Sequence, residues 1–118
     1  MRRRLVADFD ARLEDPAAYA RQAVQACSLF PEGDLFPFVY PALAYVNLAL
    51  LDPGERARCE TQVPKLLDLA IASVVKRVGP PGGALEDLPD YRSHAVYLGQ
   101  LNLALGAYAL VRDDPRYV

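Results

Sequence analysis

The chain has 118 residues, of which 53% are hydrophobic and 24% are charged, and its net charge is −2. This composition excludes an intrinsically disordered protein and indicates one domain over residues 1–118, while the lack of a basic excess argues against binding to nucleic acid. Two distant cysteines, Cys27 and Cys59, and a single histidine predict free thiols in a cytoplasmic protein without a metal site or cofactor.

The chain begins with the pattern of two short helices. Apolar residues at helical spacing predict a helix over Arg3–Leu13. Asp15 followed by Pro16 is then typical of a helix N-terminus, because the carboxylate accepts from free amides and proline lacks the amide that would stay unpaired. The second helix is predicted to end near Leu29, or else to continue the first one after a bend.

The middle of the chain is predicted to contain one buried helix and one surface helix. The segment Leu35–Pro41 is rich in prolines and aromatic residues, which favours a non-helical lead-in to a helix over Pro41–Leu51 that is apolar on both faces. Asp52-Pro53 repeats the start signal. We expect Pro64 to interrupt or kink the next helical region, and Pro64–Val78 to form a one-sided, peripheral helix.

The last third contains a strong helix breaker and then a second apolar helix. The glycines and prolines of Gly79–Gly83 predict a loop, and the final helix is expected from about Asp90 or Ser93 to Val111. No segment alternates as a strand does, so the predicted fold class is all-α. The apolar segments Pro37–Leu51 and Ala95–Val111 are shorter than a membrane span needs, which argues against a membrane protein, and we expect them to pack as neighbouring central helices.

The two apolar helices also share a sequence. The tetrapeptide NLAL occurs at Asn47–Leu50 and again at Asn102–Leu105, and an Asp-Pro pair follows each copy. This order predicts helical hairpin repeats. On YPALAYVNLALLDPGER at Tyr40–Arg56 and HAVYLGQLNLALGAYALVRDDPRY at His94–Tyr117, the chain resembles the α/α-toroid, or six-hairpin, superfamily of glycoside hydrolases, epimerases, cyclases and terpenoid-acting dehydratases.

Two functional interpretations stay open. The resemblance implies that the chain is a non-catalytic part, about two hairpins, of a longer toroid protein that acts when whole on a carbohydrate or terpenoid-like small molecule; a helix start at Asp114-Pro115 so near the last residue agrees with this. The alternative is a small helical module for self-association or protein interaction. Neither interpretation establishes that the chain is an enzyme, since no nucleophile triad, phosphate loop or dinucleotide fingerprint is present.

One polar cluster is the candidate ligand site. Tyr91 and Tyr97 lie three residues on either side of the only histidine, His94, and Arg92 lies between them. In a toroid the ends of inner helices line the cavity, so these four residues would bind a small molecule there and His94 would be a weak candidate for general acid–base catalysis. The pattern favours the other interpretation, in which they are packing residues with polar tips at the surface.

A stripe of small residues is the candidate interface. Spacings of four and three place the following residues on one face of the last helix: Ala95, Gly99, Asn102, Gly106 and Ala109. Small side chains let another backbone approach closely, and Asn102 would fix the register there by hydrogen bonding. We therefore predict a homo-oligomer, most simply a two-fold dimer.

Overall fold

The structure, a computed structural model, describes residues 2–26, 31–78 and 95–117. Within these ranges 89% of the residues are helical and none is in a strand, which confirms the all-α prediction. Short 3-10 turns precede the third and fourth helices and follow the fifth. The α-helices are α1 (Arg2–Arg12), α2 (Pro16–Ala26), α3 (Phe36–Leu51), α4 (Arg56–Val78) and α5 (Ala95–Ala109).

The Asp-Pro pairs start helical turns, as predicted. Asp15 Oδ1 accepts a hydrogen bond of 3.0 Å from the backbone N–H of Ala18, and α1 and α2 are separate helices. Asp52 Oδ1 accepts from Gly54 N at 3.0 Å, and Asp114 Oδ1 accepts from Arg116 N at 3.1 Å. Each of these last two bonds begins a 3-10 turn, so the chain adopts the same local structure after α3 and after α5.

The predicted lead-in over Leu35–Pro41 is wrong, because α3 already begins at Phe36 and contains Pro41. Pro37 lies in the first turn, where a missing amide costs nothing. Pro41 would normally destabilise a helix, since it cannot donate to the carbonyl four residues before it, which is that of Pro37. The hydroxyl of Tyr19 donates to this carbonyl instead. A side chain from α2 thus compensates for the missing backbone bond.

The three longest helices form an up-down-up bundle in which each helix contacts the other two. Asp34, just before α3, contacts Arg77 near the end of α4 and Tyr97 near the start of α5. At the opposite end, Arg56 at the start of α4 donates to the carbonyl of Val111, just after α5. Hence α3 and α5 run parallel and α4 runs antiparallel to both. The two apolar helices do contact each other, as predicted.

The expectation that the fourth helix is peripheral is wrong, although its one-sidedness is confirmed. Helix α4 continues through Pro64 without interruption and packs against both α3 and α5. Val63, Leu66 and Leu67 are fully buried, while Asp68 is exposed. The buried residues of α4 extend from Cys59 to Val74, so the helix contributes to the core along most of its length.

Helices α3 and α5 are buried on one side and not all round. Their inner faces supply core residues such as Tyr45 and Tyr108, whereas Leu51 is 77% exposed and Leu110 is 71% exposed. Neither helix contains a charged residue. Exposed helix faces normally carry charges, so these two helices present an unusually apolar surface. None of the helices in the described ranges has the combined length and apolar character needed to cross a membrane.

Candidate functional site

The predicted ligand cluster is only partly within the described ranges. Tyr91, Arg92 and His94 lie outside them, so their grouping and the acid–base role of His94 stay predictions. Tyr97 is buried, and its hydroxyl lies 3.3 Å from Asp34 Oδ2. Burial, followed by the negative charge of Asp34, raises the pKa of Tyr97 to about 12. Its hydroxyl is therefore neutral at physiological pH.

Tyr97 connects three elements. The Arg77 guanidinium lies 4.7 Å from the centre of the Tyr97 ring, a cation–π distance, and Arg77 Nη2 pairs with Asp34 Oδ1 at 3.2 Å. These contacts join the start of α5 to the end of α4 and to the turn before α3. For Tyr97 the structure thus agrees with the packing interpretation, since its ring and hydroxyl are both engaged within the chain.

The predicted interface stripe faces solvent. Gly99, Asn102, Gly106 and Ala109 are all exposed on α5, and the side chain of Ala95 lies outside the described set. A Cβ atom built on Gly99 or Gly106 would meet no atom within 4 Å. The close approach that these glycines permit is therefore not used by any other part of the chain that the structure describes.

Two leucines border this stripe. Leu103 is 55% exposed and Leu110 is 71% exposed. Together with the stripe they form what we call the α5 face: Gly99, Asn102, Leu103, Gly106, Ala109 and Leu110. Its chemistry is that of a buried surface, with recessed glycines, protruding leucines, one amide and no charge.

A partly buried polar network, which the sequence did not predict, ties α1 to the three longest helices. Asp10 Oδ1 accepts from the hydroxyl of Tyr45 at 2.6 Å and from Gln62 Nε2 at 3.0 Å, and its Oδ2 lies 3.3 Å from Arg58 Nε. Burial and this hydrogen bond raise the pKa of Tyr45. The only sequence signal was the position of Asp10 on the same helical face as Leu13, which by itself indicates no partner.

The structure describes one of the two cysteines and part of the chain's potential metal ligands. Cys59 is buried, and desolvation raises the pKa of its thiol to about 11, so it is protonated and unreactive at neutral pH. Cys27 lies outside the described residues. Among the residues that are described, no three metal-ligating side chains come together.

Comparisons of the chain with protein-family models, with curated proteins and with solved structures found no match. The α/α-toroid resemblance thus has no support from a relative. The function must be inferred from the surfaces that the chain itself presents, and one of these, the α5 face, is an exposed helix surface without a charged side chain.

Proposed function

We propose that the chain is a self-association module in which two copies pair through their α5 faces. One observation carries this proposal: a 15-residue helix without a charged residue turns a stripe of small residues and Leu103 to solvent, and Leu110 is exposed directly after it. Surface helices of monomers normally carry polar and charged residues on their outer face. An apolar outer face is typical of a helix that is covered by a partner.

The burial of the leucines supplies the driving force. Full burial of a leucine side chain stabilises a complex by about 1.5–3 kcal/mol. Leu103 and Leu110 together offer two such side chains, both more than half exposed in the isolated chain. Gly99 and Gly106 let the opposing helix approach closely enough for these leucines to be covered.

The order of residues favours a second copy of this chain as the partner. Asn102 lies midway between Ala95 and Ala109, so a two-fold axis through it would place Ala95 of one copy opposite Ala109 of the other and Gly99 within about 1.5 Å, one residue's rise, of the level of Gly106. An amide both donates and accepts, so two Asn102 side chains can bond to each other on the axis. Because the α5 face carries no charged side chain, two copies of it can pair without like-charge repulsion.

The size of the face predicts a reversible complex. A helix of 15 residues is only about 22 Å long at a rise of 1.5 Å per residue. One helix crossing of this length buries less than the roughly 800 Å² per partner of a standard stable interface. We therefore expect a dissociation constant of about 1 μM or weaker.

Sedimentation velocity over a concentration series tests the proposal. The wild-type chain should shift from monomer to dimer as its concentration rises, and Gly106→Leu should stay monomeric because the added side chain blocks close approach. Ala72→Leu is the matched control, since it enlarges an exposed small residue on α4, away from the α5 face. A wild-type chain that stays monomeric at about 1 mM, or equal loss of dimer in both variants, would refute the proposal.

The two Asp-Pro turns support a second candidate, a helical hairpin repeat of the α/α-toroid kind. Asp52 and Asp114 start equivalent 3-10 turns, one after α3 and the other after α5, and these two helices are parallel neighbours. Helix α4 connects them along the chain and runs antiparallel to both. In this candidate the α5 face would pack against a further hairpin of a longer protein that acts on a carbohydrate or terpenoid-like molecule. The mass of the natural gene product decides, because a product of 118 residues would rule this candidate out.

A further inference from the structure

A second surface feature, independent of α5, is a cleft between α1, α2 and the start of α3. We propose that this cleft binds a small aromatic carboxylic acid. Its volume is about 430 Å³, within the range of about 300–1,000 Å³ that is typical of small-molecule sites. The side chains that give it its chemistry are Phe9, Arg12, Tyr19, Gln22, Phe36 and Tyr40.

The walls of the cleft are aromatic and fixed in place. The Phe36 and Tyr40 rings pack together with centres 5.1 Å apart. Tyr19, which is only 5% exposed, is held by an edge-on contact with Phe38 at 5.7 Å and by the bond from its hydroxyl to the carbonyl of Pro37. A flat aromatic ligand would gain contacts with these packed rings and would not have to order them first.

The charge of the cleft predicts an anionic ligand. Arg12 is the only charged side chain among the described residues that line it. Arg12 pairs with Asp8 at 3.0 Å, but both side chains are at least half exposed. Exposed pairs of this kind contribute little free energy, so the guanidinium can turn to a ligand carboxylate at small cost.

The alternative occupant is an apolar side chain from another protein. Such a side chain would use the rings but not the guanidinium. An acid and its neutral amide of the same shape therefore separate the two cases, because only the acid gains from the positive charge of Arg12.

The test is titration of the protein with 2-naphthoate and, separately, with 2-naphthamide, followed by tyrosine fluorescence and calorimetry. Saturable binding of one naphthoate per chain is expected. Arg12→Gln should weaken naphthoate binding about fivefold and leave naphthamide binding unchanged. Arg21→Gln is the matched control, because Arg21 is exposed on α2 and does not line the cleft.

A wall variant completes the experiment. Tyr40→Ala should weaken both ligands, whereas Leu110→Ala, which truncates a more exposed side chain directly after α5, should weaken neither. Circular dichroism would establish that all four variants are folded. No saturable naphthoate binding below about 5 mM, or equal effects of Arg12→Gln and Arg21→Gln, would overturn the proposal. Tighter binding of the amide than of the acid would assign the cleft to an apolar side chain instead.

Discussion

Replacing Gly99 with alanine should stabilise the isolated chain. Gly99 lies inside α5, is exposed, and a Cβ atom at this position would meet nothing within 4 Å. Alanine costs less backbone entropy than glycine in a helix and gains or loses no contact here. The free energy of unfolding should therefore rise by about 0.5–1 kcal/mol, and the melting temperature by about 2–5 °C.

Chemical denaturation at low protein concentration measures this change without a contribution from association. Gly54→Ala is the matched control with the opposite sign, because a Cβ atom there would lie 3.2 Å from Asp52 Oδ1, which caps the turn. If Gly99→Ala instead destabilises the dilute protein, α5 already packs closely against another part of the chain through this face. That result would refute the assignment of the α5 face to the surface.

Three further predictions concern the core, the acid response and the thiol. Leu67→Ala should lower the free energy of unfolding by about 2–5 kcal/mol in urea titration, since this side chain is fully buried between helices. Hydrogen bonds from Arg116 hold the pKa of Asp114 at about 2, below its usual 3.8, so its stabilising effect is present above pH 4 and is lost as the pH falls towards 2; Asp114→Asn should remove this part of the acid dependence. In a Cys27→Ser background, Cys59 should react with a thiol reagent at pH 8 only after unfolding, and rapid reaction of the native protein would contradict its burial.

Local signals in the sequence predicted local structure well. An aspartate followed by proline starts a helical turn through atoms within three residues of each other, so Asp15, Asp52 and Asp114 all behave as expected. The grouping of the α5 stripe on one helix face also follows from spacing alone, because residues three and four apart share a helix face.

Features that depend on distant parts of the chain were not predictable in this way. Helix α3 tolerates Pro41 because Tyr19, on another helix, donates to the carbonyl that proline leaves unpaired. The network on Asp10 likewise needs Tyr45 and Gln62 from two other helices. The positions of the charged residues correctly predicted which side of α4 faces solvent. They did not predict that α4 packs against both α3 and α5, because a single apolar face can contact two neighbouring helices.

The most direct test of the central claim is disulfide cross-linking through Asn102. In the proposed dimer the two Asn102 residues meet at the two-fold axis, so cysteines there would come within the roughly 7 Å between Cα atoms that a disulfide requires. Asn47 is the matched control, since it is an exposed asparagine in the same NLAL sequence on α3. In a Cys27→Ser background, mild oxidation should convert Asn102→Cys into a covalent dimer on a non-reducing gel and leave Asn47→Cys monomeric. Equal cross-linking of both variants, or none in Asn102→Cys, would contradict pairing through α5.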